Sequence, residues 1–151
     1  MRVALDTNIM AYAEGVDDDR MQAMATELVT SLPAGSAVLP LQTLVELFNV
    51  LVRKAGRSRE AARVAVLKWR DGFPVVETSA AIVVAAADLA VEHRLRIWDS
   101  LILSASAHAG CRLLLSEDYH DGFIWAGVTV TNPFASSRHP LLTALLTTQL
   151  Q

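Results

Sequence analysis

The sequence predicts an α/β fold, a mostly parallel sheet covered by helices, on two observations. Strand-like and helix-like segments alternate along most of the chain, the order that parallel strands with helical crossovers require. The run Leu113-Leu114-Leu115 has no polar alternation, the mark of a strand buried on both faces.

The elements follow in order. Met1–Leu5 reads as the first strand, ended by Asp6-Thr7-Asn8, with a short helix over Ile9–Ala13. Asp17, Asp18 and Asp19 offer caps for a helix to about Leu32. Pro33-Ala34-Gly35-Ser36 turns the chain into a short strand at Ala37–Leu39. Gln42–Ala55 is helical, with Leu44, Leu47 and Leu51 beside Val45, Phe48 and Val52 as a wide apolar stripe, and Gly56 ends it. Ser58 caps a further helix to about Asp71, expected to pack through Ala61, Val64 and Leu67. Phe73–Glu77 is the third strand, and Thr78 or Ser79 opens an apolar helix to about His93. Asp99 is the expected start of the next helix, which carries Leu101, Ile102 and Leu103 and stops at Gly110. Leu113–Leu115 is the fourth strand, and Glu117, Asp118 and Asp121 follow at once. Val128–Thr131 is the fifth, closed by Asn132-Pro133. Beyond it, Leu141, Leu142, Leu145, Leu146 and Leu150 follow Pro140, a residue suited to a helix start.

Composition narrows the function classes. The 151 residues suffice for one domain with a real core. No membrane span is expected, because the longest uncharged run, Leu28–Val45, is broken by Pro33, Gly35 and Pro40. Asp6 falls where a secretion signal would be apolar, and the single Cys111 allows no internal disulfide, so a reducing cytoplasm is the expected compartment. A net charge of −3 argues against non-specific coating of nucleic acid but leaves room for a local basic patch.

The acidic residues carry the functional signal. Most of the 16 have polar neighbours, and four do not. Asp6 directly follows the first strand. Glu46 is set among Leu44, Val45, Leu47 and Phe48. Asp99 is bracketed by Ile97-Trp98 and Leu101-Ile102, and Asp118 comes soon after three leucines. Each belongs where its element meets the carboxyl ends of strands, the place where open α/β sheets put their chemistry. Singly they have plain readings: Asp6 and Asp99 as helix caps, Glu46 with Asn49 and Arg53 as a solvated helix row, Ser116-Glu117-Asp118 as a turn. Together, four carboxylates raise each other's pKa, a conflict that a divalent cation removes. Oxygen ligands suit Mg²⁺ or Mn²⁺ rather than Zn²⁺, and His93, His108, His120 and His139 lack zinc spacing. Such an ion can activate water for phosphodiester hydrolysis. The sequence holds neither a G-x-S-x-G turn nor a Walker-type loop.

As an ordered set, ALDTNIMAYAE, LQTLVELFNVL, IWDSLILSASAHAGC, LLLSEDYHDG and VTVTNPF resemble the PIN-domain family, and within it the VapC-type toxin ribonucleases. The likeness runs from Met1 to about Phe134. It implies a three-layer α/β/α sandwich with a mostly parallel sheet over residues 1–134, and leaves 135–151 as a C-terminal extension, expected to be helical. It implies a Mg²⁺- or Mn²⁺-dependent endoribonuclease that hydrolyses RNA phosphodiester bonds as the toxin of a type II toxin–antitoxin pair. By position it assigns catalytic roles to Asp6, Glu46, Asp99 and Asp118, metal contacts to Asp6, Asp99 and Asp118, and supporting roles to Asn8 and Ser116. Glu117 and Asp121 are close enough in sequence to share the part of the fourth acid.

The implied partners are an RNA substrate, a cognate antitoxin and a second copy in a homodimer. The C-terminal leucines offer a surface either for the domain itself or for a partner. Seven of the 13 basic residues fall between Arg53 and Arg70, opposed only by Glu60. Within that segment Arg53, Arg57, Arg59 and Arg63 are the expected contacts to the RNA backbone, against the plainer reading of two solvated helix faces. A catalytically inactive PIN-like domain that binds RNA or a partner is the alternative. A receiver-type phosphoryl-transfer domain fits less well, because Asn8 stands where the second acid of an Asp-x-Asp motif would be, and the only lysines, Lys54 and Lys68, fall on predicted helices.

Overall fold

The computed structural model describes residues 1–148. Its first half runs β1 (Arg2–Leu5), α1 (Thr7–Ala13), α2 (Asp19–Ser31), β2 (Ala37–Pro40), α3 (Leu41–Arg53), α4 (Arg59–Gly72) and β3 (Val75–Val76). Its second half runs α5 (Ala80–His93), α6 (Ile97–His108), β4 (Cys111–Leu115), β5 (Ile124–Trp125), β6 (Val128–Thr131) and α7 (Pro140–Thr147). The sheet order is β3-β2-β1-β4-β6-β5, and every pairing is parallel except β5 with β6.

Strand alternation sorts the side chains into two cores. Val3, Leu5, Leu39, Leu113 and Leu115 face α1, α2, α3, α4 and α7, while Ala4, Val38, Leu114 and Val130 face α5 and α6. The expected three-layer α/β/α sandwich is therefore the observed one. Local chemistry sets the helix ends as the sequence suggests. Asp18, Ser58 and Ser79 accept hydrogen bonds from backbone N–H groups at the starts of α2, α4 and α5. Gly110 takes a left-handed φ of 73° just past α6.

Three expectations need correction. Asp99 does not start its helix. Arg94 ends α5 in the left-handed region, Arg96 occupies the N-cap of α6, and Ser100 N donates to Arg96 O at 2.9 Å to close the first turn. Asp99 thus lies inside that turn. The packing face of α4 is also different: Ala62 and Ala65 are buried and Val66 and Trp69 join the core, while Val64 stays 50% and Leu67 40% exposed. The Trp69 indole N–H reaches Glu14 Oε1 at 3.0 Å, a contact that fixes the rotation of the helix. The strand β5, absent from the expected set, forms an antiparallel pair with β6 across a turn through Gly127. Of the leucines after Pro140, for which packing on the domain and a partner surface were both open, several turn toward the domain. Leu142 and Leu145 are buried in the first core with Leu141 and Leu146 packed beside them; Leu150 lies outside the described residues. Among the described residues, no helix is long and apolar enough to cross a membrane.

Candidate active site

Parallel register builds the centre. Leu5 pairs with Leu115, so the next residues, Asp6 and Ser116, emerge side by side at the carboxyl ends of adjacent strands. Asp6 N donates to Leu115 O at 3.0 Å and Ser116 N to Thr131 O at 3.0 Å, extending the ladder one step beyond the strands. The strand order reverses between β1 and β4, which makes this the switch point where open α/β sheets bind ligands.

Ser116 is the hub. Its fully buried hydroxyl donates to Asp6 Oδ2 at 2.6 Å and accepts from Asp118 N at 3.1 Å and Asn8 Nδ2 at 3.3 Å. The other Asp6 oxygen accepts from Thr7 N at 2.7 Å, so Asp6 also serves as the N-cap of α1. Thr7 in turn donates its hydroxyl to Glu46 Oε2 on α3 at 2.8 Å. Because the Ser116 proton is committed to Asp6, the Asn8 amide must present its nitrogen to Ser116. That leaves Asn8 Oδ1 buried without a partner.

Asp6, Asn8, Glu46, Asp99 and Asp118 line one cleft of about 560 Å³, with Ser116 behind its wall. Of the four expected RNA-contacting arginines, none is among the residues described as lining it. Arg57 is held by Glu14, with Nη1 3.2 Å from Oε2. Arg53, Arg59 and Arg63 are exposed outside the cleft. Further residues lining the cleft include Tyr12 and Arg96, which the sequence did not single out, Asn49, read there on a helix row with Glu46, and Lys54, counted there in the basic segment. The i,i+3 spacing of Arg96 and Asp99 was the available signal for one of them. Two tyrosines pin the acidic loop, Tyr12 by donating its hydroxyl to Glu117 and Tyr119 by donating to the Asp99 carbonyl. Burial raises both phenol pKa values, helped for Tyr12 by the Glu117 contact and for Tyr119 by the surrounding carboxylates, so both remain donors.

The electrostatics are those of crowded, partly dry acids. Burial pushes Asp6 up to about 7 against the opposing donors Ser116 and Thr7, and the charges of Asp118 and Glu46 add to the rise. Glu46 is raised by burial, less so for its bond from Thr7, and further by Asp99. Asp99 is raised by burial, with Arg96 opposing and Asp118 adding. Among the described residues, no three acidic, histidine or cysteine side chains already converge at ligand distance on one point. The donor set nevertheless fits a hard divalent cation: it is all oxygen and anionic, and the unpaired Asn8 Oδ1 can accept from a water in the ion's shell.

Fold and site together define a parallel α/β/α domain with a carboxylate-lined cleft at its switch point. The chain belongs to the PIN-domain family, whose sequence profile matches residues 3–123. Solved structures share the fold. VapC20 of Mycobacterium tuberculosis, described as a sarcin-ricin loop cleaving toxin, is 21% identical with a TM-score of 0.67, over 84% of this chain and 98% of that one. A toxin–antitoxin complex from Klebsiella pneumoniae gives 21% and 0.64, over 87% and 98%. VapBC2 from Rickettsia felis, bound to a DNA fragment from its promoter, gives 18% and 0.64 over the same shares. No curated protein matches the sequence.

Proposed function

We propose that this PIN-domain protein is a divalent-metal-dependent endoribonuclease, the toxin of a type II toxin–antitoxin pair that acts in the cytoplasm. The observation that carries the reading is the meeting of four carboxylates, from residues 6, 46, 99 and 118, in one cleft at the sheet's switch point. The fold likeness to an RNA-cleaving toxin supports it. Asp6, Asp99 and Asp118 would hold Mg²⁺ or Mn²⁺. When bound, the ion lowers the pKa of water and offsets charge on the reacting phosphate. Ser116 and Thr7 orient Asp6, and Thr7 orients Glu46. Glu46, whose proton affinity is raised, is suited to take a proton from the attacking water. Cleavage of total RNA should appear with Mg²⁺ or Mn²⁺ and vanish in EDTA. Undiminished cleavage in EDTA would refute the metal dependence, and no cleavage of any RNA class with either ion would favour the inactive, binding-only alternative.

Ser116→Ala removes one donor to Asp6 and one acceptor from the Asp118 backbone. Loss of such a supporting partner typically costs about 10–100-fold in metal affinity or activity. We expect Mn²⁺ affinity, read by calorimetry, to fall within that range. An unchanged affinity in the folded variant would remove Ser116 from the site.

On the exposed face of α4, Arg59 and Arg63 are proposed to track RNA phosphates. Changing both to Glu should weaken RNA binding and flatten its salt dependence. An identical salt slope would make them ordinary surface charges.

A cognate antitoxin is the proposed protein partner, since the similar folds include toxin–antitoxin complexes. The second proposed partner is another copy of this chain. With Leu142 and Leu145 packed inward, the surface for it is the exposed apolar set on α5 and α6: Val83, Val84, Val91, Ile97 and Trp98. Light scattering at micromolar concentration should give the dimer mass, and Val84→Glu with Val91→Glu should halve it. A monomeric wild type would reject the dimer.

A further inference from the structure

Among the described residues, six carboxylates line the cleft and only two cations do, Lys54 and Arg96. Neither is held in a close ion pair with any of these residues. Arg96 holds the N-cap of α6, a position that favours Ser, Thr, Asp or Asn, and it makes no side-chain cap bond there. A positive charge also opposes the positive end of the helix. Nor is Arg96 bound up with Asp99: the approach is loose, at 3.9 Å, and the Arg96 side chain is 78% exposed. Lys54 stands just past the last turn of α3 and has no ion pair among the described residues. Glu46, Asn49, Val50 and Lys54 line the α3 wall in succession. Eight positions separate Glu46 from Lys54, about 12 Å along a helix axis. Arg96 is near Glu46 and Asp99, whose charges it offsets, and Lys54 is further along α3, so the two cations stand at separate points of the cleft wall.

A cleft this acidic repels a polyanion. Two exposed, weakly committed cations at separate points supply what the carboxylates cannot, direct contacts to backbone phosphates. We infer that Arg96 and Lys54 are the cleft's phosphate contacts, which draw one RNA strand across the carboxylates and hold it by its backbone. This rests on the nuclease reading above. It differs from the α4 face in place, since neither Arg59 nor Arg63 lines the cleft.

The test uses the full chain and a short fluorescein-labelled single-stranded RNA of mixed sequence. Binding is followed by anisotropy over a salt series with Mg²⁺, in an Asp6→Asn background that keeps the RNA whole. Neutralising a side chain that touches one phosphate of a single strand should reduce the salt slope by about 0.7. Arg96→Gln and Lys54→Gln should each show that reduction, the double variant about twice as much, and Arg96→Lys should keep the full slope. Arg112→Gln, on the exposed start of β4 at the far end of the strand from the cleft, should change nothing. Mn²⁺ calorimetry on Arg96→Gln in the otherwise unchanged protein separates the inferred role from one in which Arg96 merely offsets the acids. That plainer role shifts metal affinity and leaves the RNA slope intact, which would overturn the inference. Unchanged slopes in folded variants of a protein whose wild type cleaves RNA reject the phosphate contacts alone. A wild type that cleaves no RNA rejects the parent reading and the contacts with it.

Discussion

Asp99→Asn is expected to abolish metal-dependent RNA cleavage and leave the fold intact. Its carboxylate is half-buried in the cleft wall and makes only the loose approach to Arg96, so little of the structure depends on its charge. The proposed ion depends on it directly, and the loss should exceed the roughly 10–100-fold typical of a merely supporting partner. Asp6→Asn should do the same while keeping the cap on α1, because Asn caps as well as Asp. Asp6→Ala would lose the cap as well, about 0.5–2 kcal/mol. Asp118→Asn should hurt least, though rescue by neighbours is restricted: Glu117 is held by Tyr12, and Asp121 accepts from Asn132 N at 2.9 Å. Cleavage rates and melting temperatures of the same variants decide the matter. Full cleavage by folded Asp99→Asn would sink the metal site.

Without divalent ions, the protein should lose stability as pH rises from about 4 to about 7. Asp6 moves from 3.8 to about 7 on folding, so the fold prefers its neutral form. The stability is therefore complete below the unfolded value and disappears as pH climbs through the folded one. Three pKa units correspond to about 4 kcal/mol at about 1.4 kcal/mol each, and Asp6 is only 3% exposed, so solvent screens little of it. Glu46 and Asp99 are raised too and act in the same direction. Denaturant melts in EDTA across that range should show the decline. Asp6→Asn should flatten it, and Mg²⁺ at pH 7 should restore the wild type. Parallel pH profiles for wild type and Asp6→Asn would show that burial of this carboxylate carries no such penalty.

The legible part of this protein was what local pattern encodes. A parallel sheet follows from runs such as Leu113–Leu115, and Ser58 and Ser79 mark helix starts by their own chemistry. Asp6, Glu46, Asp99 and Asp118 stood out because acids are rare among such apolar neighbours, and all four line one cleft. What stayed hidden depends on distant partners. On α4 the series Ala61, Val64, Leu67 and the series Ala62, Ala65, Val66, Trp69 both keep helical spacing. Contacts with Glu14, 55 residues from Trp69, favour the second. The same Glu14 pairs with Arg57, 43 residues away. Two-residue β5 carries too little pattern to announce itself. The cap of α6 defies the usual preference, because Arg96 holds a position that chemistry alone would give to a polar acceptor.

The bond from Ser116 to Asp6 joins residues 110 positions apart, so this corner of the cleft can be assembled only after most of the chain has been made. Chains grow from the N-terminus, and contacts distant in sequence must wait for both halves. On the ribosome, β1 to β3 can be complete while Asp6 still has no Ser116 to orient it and no Asp118 opposite. The carboxylate cleft is thus a late product of translation. A shortened chain that stops before residue 111 would carry Asp6, Glu46 and Asp99 yet lack β4, and with it Ser116 and Asp118.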